Sequence, residues 1–172
     1  MKRVLLLTLL LPLLLFSCNN DENGSSASSV IVKMTKSADS HSESQEVLFS
    51  GSDIKSFNVQ TGEIVFKKSK VSKAVKNNLN KSFVFYSDEN ILFTSFSFQT
   101  TNDLMSHIIN DLVLYYDLKN DKFYLRDGYP SVEVLGYAEE NARKTREENK
   151  DLRAPAWELF LLKLKDSGKL QE

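Results

Sequence analysis

The sequence is poor in the side chains that most often carry chemistry. Its 172 residues include one cysteine, Cys18, and two histidines, His41 and His107. A single thiol excludes a disulfide within the chain, so an exported domain of this kind must be stabilised by packing. The sequence also contains no His-x-x-x-His pair, no Gly-rich phosphate loop and no EF-hand Ca²⁺ loop. We therefore expect no bound metal and no cofactor.

The chain also lacks an apolar run long enough to cross a bilayer. Its longest run, Val4 to Phe16, has about a dozen residues and includes Pro12, whereas a spanning helix needs about 20 apolar residues. Lys2 and Arg3 precede the run, as in a secretory signal, but no small-residue site of the Ala-x-Ala kind follows it. The segment therefore indicates export without a transmembrane anchor.

The apolar run ends in Leu15-Phe16-Ser17-Cys18, and a polar stretch begins immediately afterwards. These four residues resemble the lipobox of bacterial lipoproteins, and the chain is similar to the small single-domain lipoproteins of Gram-negative envelopes. The resemblance implies that residues 1–17 are removed as a signal peptide, that Cys18 carries a diacylglycerol on its sulfur, and that its new amino group is acylated. Two or more acyl chains give a stable anchor, so the membrane is an expected partner.

Residues 18–29 are expected to form a flexible, lipidated tether, because Gly, Ser and Asn dominate them. In Gram-negative lipoproteins an Asp directly after the lipidated Cys retains the protein in the inner membrane. That position is Asn19 here, so the resemblance implies the outer membrane. Asp21 and Glu22 resemble the export signals of some surface-displayed lipoproteins, although solubility alone would also select acidic residues.

Strong charge of one sign is absent. The formal net charge is −1, and removal of Lys2 and Arg3 with the signal leaves 20 basic residues against 23 acidic ones, a net charge of −3. Without a basic stripe the chain has nothing that would bind a phosphate backbone, so we exclude nucleic acid. An envelope protein or a glycan is the partner that we expect.

Residues 30–172 are expected to form one α+β domain. Val30–Met34 and Val47–Phe49 predict strands, because they are rich in β-branched and aromatic residues. Gly62 can supply the positive φ of a tight turn. The predicted hairpins are Ile54–Val59 with Glu63–Phe66, Phe83–Tyr86 with Ile91–Phe98, and Leu112–Leu118 with Phe123–Arg126. This pattern predicts an antiparallel β-meander with C-terminal helices packed on it.

Three segments have helical patterns. Val71 to Asn80 predicts a short surface helix or a structured loop, and Ser131 to Arg153 predicts a charged, exposed helix that Pro155 ends or kinks. Ala156 to Lys165 predicts a last helix, capped near Gly168. Its predicted inward stripe is Trp157, Phe160, Leu161 and Leu164. The predicted core aromatics are Phe83, Phe85, Phe93, Phe96, Phe98 and Phe123.

The tyrosines indicate a recognition surface. Tyr115 and Tyr124 are predicted to face each other on the half-exposed side of one hairpin, and Tyr129 follows in the same strand. Together they would make an amphipathic patch suited to a partner protein or a sugar ring. The alternative is that helices cover this face and the tyrosines form the edge of the core.

Evidence for catalysis is weaker. His41 lies in a Ser-rich segment and His107 has no nucleophile motif beside it, so both are expected to be solvated or packed side chains. The acidic residues that could supply an acid/base pair or cation ligands are Asp111, Asp117, Asp121 and Asp127. The simpler interpretation is that Asp117, Asp121 and Asp127 cap turns.

Three functions follow from these patterns. The first is a non-catalytic, lipid-anchored binding or interaction module of the cell envelope, which we prefer. The second is a hydrolase that acts through carboxylates, and the third is an inhibitor of an external enzyme. The sequence does not identify a ligand for any of them.

Overall fold

A computed structural model describes residues 29–34, 46–100 and 108–172. The predicted signal peptide, the lipobox with Cys18 and all of the tether except Ser29 lie outside the described residues. So do His41 and His107. The predictions made for them stay predictions.

The described chain forms nine strands and two helices. The strands are β1 (Val30–Met34), β2 (Val47–Ser50), β3 (Ile54–Asn58), β4 (Glu63–Phe66), β5 (Ser82–Ser87), β6 (Asn90–Gln99), β7 (Ile109–Asp117), β8 (Lys122–Tyr129) and β9 (Leu170–Gln171). The helices are α1 (Ser69–Lys76) and α2 (Glu139–Asp166). Both predicted N-terminal strands, all three hairpins and the short first helix are confirmed.

All nine strands belong to one mixed sheet, in the order β2-β1-β5-β6-β7-β8-β4-β3-β9. Most neighbours are antiparallel, but β6 pairs with β7 in parallel, and so does β3 with β9. Parallel neighbours cannot be joined by a tight hairpin. The structure therefore has a mostly antiparallel mixed sheet with two helices, one of them C-terminal, and the predicted meander is not confirmed.

The core lies on one face of this sheet, which curls around it. The ring of Phe49 on β2 lies 5.0 Å from the ring of Phe66 on β4, although five strands separate β2 from β4 in the sheet. Val71 and Val75 of α1 fill the same core as Phe160 of α2. Both helices therefore pack on the enclosed face.

Most of the predicted core aromatics are confirmed. Phe83, Phe85, Phe93 and Phe123 are buried in the core cluster. Phe98 is half-buried on the opposite face, and Phe96 is 39% exposed there. The prediction for these two residues is wrong because successive side chains of a strand point to opposite faces. Phe96 and Phe98 share the face of their partners Val113 and Tyr115.

Helix α2 is one continuous helix of 28 residues, with Pro155 inside it. The alternative that Pro155 ends the helix is wrong. Pro155 has no N–H to donate to the carbonyl of Asp151. Both residues are exposed, so water can bind that carbonyl instead. The helix also begins at Glu139 and not at Ser131. Gly168, at φ 66°, follows the last turn, as predicted. No described helix has both the length and the apolar character of a membrane span.

Candidate ligand-binding pocket

Three aromatic side chains form a row across the outer face of the sheet. The strand register places Phe98 opposite Tyr115 and Tyr115 opposite Tyr124. Their rings are stacked, with centroids 5.7 Å apart in the first pair and 5.2 Å apart in the second. Such offset stacks contribute about 0.5–1.5 kcal/mol beyond the burial of area. The row is therefore a rigid platform.

Tyr129 completes this cluster. Its ring lies 4.7 Å from that of Phe98 and 5.2 Å from that of Tyr115. The three tyrosines predicted as a binding surface thus lie together. Tyr115 is only 8% exposed, because its aromatic neighbours cover it, so the open part of the cluster consists of the half-buried side chains Phe98, Tyr124 and Tyr129. The surface therefore differs from the patch expected from the sequence, because Tyr115 is covered and Phe98 takes part.

The hydroxyls of Tyr115 and Tyr129 are held in the neutral form. Burial raises the pKa of the Tyr115 hydroxyl above its ordinary value, and the positive charge of Arg126 opposes that shift. Burial likewise raises the pKa of Tyr129. Both hydroxyls therefore remain able to donate a hydrogen bond at neutral pH.

A pocket of about 510 Å³ opens beside Tyr115 and Tyr129. One wall is the end of β8, another is the segment from Pro130 to Val134, and the third consists of the first turns of α2. The segment is held in place by a short 3-10 turn, Val132–Val134, and by the buried side chain of Leu135. The pocket thus forms where β8 ends and the chain turns toward α2.

Arg146 of α2 lies in the wall of this pocket and is only 7% exposed. Its Nε donates a hydrogen bond to Oδ1 of Asn110 at 3.2 Å, and its Nη1 donates to the carbonyl of Pro130 at 2.7 Å. Within the described part of the chain, Nη2 has no hydrogen-bond partner and the guanidinium forms no ion pair. It is a buried cation without a salt-bridge partner among the described residues.

Gly128 makes room for this guanidinium. Its φ is 79°, and a Cβ built on it would overlap Nε, Cζ and Cδ of Arg146. The guanidinium therefore rests directly on the backbone of β8. Burial lowers the pKa of Arg146, and the negative charges of Glu133 and Asp127 oppose that shift. Arginine stays protonated under such conditions.

The other charges of the pocket wall fall into two groups. Glu133 lies 3.8 Å from Arg143, and Asp127 pairs with Arg153, so these two carboxylates have counter-charges. The wall residues without an ion pair to any described residue are Arg126, Arg146, Glu147 and Lys150. Three of these four are basic, so the wall carries an excess of positive charge.

The predicted carboxylates do not form one site. Asp117 accepts hydrogen bonds from the backbone of the next turn and from the side chain of Asn120, which lowers its pKa. Asp121 accepts from Lys76 and from the hydroxyl of Tyr116. Asp111 and Asp127 meet at the other end of the hairpin, where both bind the guanidinium of Arg153.

Asp117 and Asp127 are therefore far apart. Asp117 lies opposite Lys122 and Asp127 lies opposite Leu112, so five residues of each strand separate the two carboxylates. At about 3.3 Å per residue this is on the order of 16 Å, more than the separation in either class of glycosidase. Asp117 and Asp127 therefore do not form an acid/base pair, whereas Asp111 and Asp127 lie together at the guanidinium of Arg153.

Sequence reasoning missed Arg146, Gly128 and Asn110. Arg146 stands in a run of charged residues and was expected on an exposed helix. One available signal was its position four residues after Ala142, which is also buried, so the two share one face of α2.

Across residues 29–34, 46–100 and 108–172, no three His, Cys, Asp or Glu side chains are grouped so as to hold a metal ion. The arrangement that the structure does offer is an aromatic platform beside a pocket with a buried cation. No known protein family matches the chain, and no curated protein or solved structure is significantly similar to it.

Proposed function

We propose that the chain is a lipid-anchored envelope protein whose domain binds a small, ring-bearing ligand such as a sugar, without catalysis. The observation that supports this proposal is the pocket beside Tyr115 and Tyr129. Its volume of about 510 Å³ lies in the range of about 300–1,000 Å³ that is typical of small-molecule sites. Such sites combine aromatic walls with a few polar groups, and both are present here.

A glycan fits this surface better than a protein does. A stable protein interface buries about 800 Å² on each partner, whereas the open part of the aromatic cluster consists of three half-buried side chains, Phe98, Tyr124 and Tyr129. A sugar ring presents an apolar face that can stack on tyrosine and hydroxyls that can accept from it. The concave shape of the pocket also favours a ligand that enters it.

Replacement of Tyr129 by alanine should weaken sugar binding about tenfold, because one aromatic wall of the pocket is lost. The measurement is a titration of the purified protein with glucose, galactose, N-acetylglucosamine and glucuronic acid, followed by NMR saturation transfer. Tyr137→Ala is the matched control, since Tyr137 is fully exposed and lies outside the pocket. Equal binding by both variants, or no binding by the wild type, would contradict the proposal.

The proposed lipid anchor has its own test. Replacement of Cys18 by serine removes the only thiol, so the variant should lose its acyl chains and move from the membrane fraction to the aqueous fraction. Fractionation of cells and mass spectrometry of the mature N-terminus measure both effects. Recovery of unacylated wild-type protein from the aqueous fraction without detergent would show that Cys18 is not an anchor.

A further inference from the structure

The buried guanidinium of Arg146 is the starting point. A charge removed from water is costly unless a counter-charge and hydrogen bonds compensate it. Two of the donor groups of Arg146 are bound to neutral acceptors, Asn110 and Pro130, and no described carboxylate pairs with it. Nη2 lacks a partner among the described residues. Glu133 and Asp127 act on this charge only from a distance, without an ion pair, so an anion in the adjoining pocket would supply the direct partner that it lacks.

The neighbouring cations are placed for the same ligand. Arg146 and Lys150 both line the pocket from α2, and their spacing of four residues puts them on one side of that helix. Arg126 approaches from β8, with its guanidinium 5.2 Å from the ring of Tyr124. The aromatic platform and the positive wall therefore meet at one cavity.

We propose that the ligand is an acidic sugar, whose oxyanion faces Arg146 and Lys150 while its ring lies against Tyr129. This inference rests on the proposed function and adds the ligand's charge to it. The oxyanion can be a carboxylate or a phosphate, since both accept hydrogen bonds from a guanidinium. Nη2 has almost no accessible surface, so a direct bond to it requires a small displacement of the wall. The positive charge of Arg146 attracts an anion across the cavity even without that movement.

The charge of the ligand is tested by calorimetric titration of the full-length protein in detergent with four probes. Glucuronic acid or glucose 6-phosphate should bind at least about tenfold more tightly than glucose, as expected for a hydrogen bond to a charged group. The tighter of the two identifies the oxyanion. Inorganic phosphate should bind more weakly than either, because it has no ring to stack on tyrosine.

Each contrary result has a distinct meaning. Glucose binding as tightly as both acidic sugars would overturn the inference and leave the proposed function standing. Inorganic phosphate binding as tightly as glucose 6-phosphate would also overturn it, because the ring would then contribute nothing. Absence of binding by every sugar would overturn the inference and the proposed function together.

Two variants locate the cation. Arg146→Gln should lose the preference for acidic sugars over glucose and bind acidic sugars at least about tenfold more weakly. Because Arg146 is buried and this variant can fail to fold, Lys150→Gln provides a second test on an exposed residue. This variant should weaken the binding of acidic sugars about two- to fivefold, as expected for an exposed charge pair.

Lys144→Gln is the matched control, because it removes the same charge from an exposed position of α2 that does not line the pocket. It should leave all four affinities unchanged. Equal effects of Lys150→Gln and Lys144→Gln would show that general electrostatics, and not this pocket, attracts the anion, and would overturn the inference.

Discussion

Replacement of Phe160 by alanine is expected to destabilise the domain by about 3–5 kcal/mol, the range for truncation of a buried phenylalanine. Phe160 has no exposed surface. Its ring lies 5.5 Å from Phe57, 5.9 Å from Phe85 and 5.5 Å from Phe93, on three different strands. The side chain therefore joins distant parts of the curled sheet, and its loss leaves a cavity that no single strand can fill.

Urea unfolding monitored by tryptophan fluorescence measures this loss, since Trp157 stacks near Phe160. Leu162→Ala, on the same helix but half-exposed, should change the free energy of unfolding by less than about 0.5 kcal/mol. If Phe160→Ala lowers the free energy of unfolding no more than Leu162→Ala does, α2 does not pack against the sheet as described. Because small domains have only about 5–15 kcal/mol of stability, the Phe160 variant should also unfold well below the wild-type temperature.

The hairpins were predictable because the signals that specify them are local. Gln60, Thr61 and Gly62 lie between two apolar runs; Gly62 adopts a φ of 73°, and its lack of a Cβ permits the close approach of the Leu125 carbonyl. Alternation within Leu112 to Leu118 likewise predicted which residues of β7 face the core. The hydrophobic period of a strand and the composition of a turn depend only on residues close in the sequence, so the hairpins can be predicted without the tertiary structure.

The order of strands was not predictable in the same way. The parallel pairing of β6 with β7 depends on a connection that is not a hairpin, and β9 has only two residues, Leu170 and Gln171, paired with β3. Contacts between residues far apart in the sequence leave no periodic signal. This is why the expected meander was not found, although every predicted hairpin was.

The aromatic side of the pocket could be predicted from the sequence, but its basic side could not. Tyr115 and Tyr124 were placed opposite each other because they belong to one hairpin, and the register confirms that placement. Arg146 was missed because the assumed break at Pro155 separated the first half of α2 from the second. Continuation of the apolar stripe from Phe160 toward the N-terminus, at steps of three or four, reaches Arg153, Asn149 and Arg146.

That polar continuation explains how one helix serves two roles. Its second half buries Phe160 and Leu164 in the core. Its first half directs Arg146, Asn149 and Arg153 toward β7 and β8. Asn149 donates a hydrogen bond to the carbonyl of Asn110 on β7. Arg153 forms ion pairs with Asp111 on β7 and with Asp127 on β8. The core therefore fixes the position of the helix, and the helix in turn fixes the cation of the pocket.

Replacement of Gly128 by alanine should test this arrangement most directly, with an expected loss of about 3 kcal/mol in the free energy of unfolding. A left-handed φ costs a residue with a Cβ about 1–2 kcal/mol. The new Cβ would also overlap the guanidinium of Arg146, which must then give up its bonds to Asn110 and Pro130. Hydrogen bonds from a charged group contribute about 1.5–3 kcal/mol each, and a shifted Arg146 side chain can form new hydrogen bonds that offset part of this loss.

Gly136→Ala is the matched control for this experiment. Gly136 has a φ of 55°, but a Cβ built on it meets no atom within 4 Å, so the variant should show only the backbone strain. The difference between the two variants, about 1–2 kcal/mol, then measures the contact with Arg146. In the Arg146→Ala background the cost of Gly128→Ala should fall toward that of Gly136→Ala, because alanine lacks the Nε, Cζ and Cδ atoms that the new methyl group would overlap. Equal costs for Gly128→Ala and Gly136→Ala in the wild-type chain would show that Arg146 does not rest on β8.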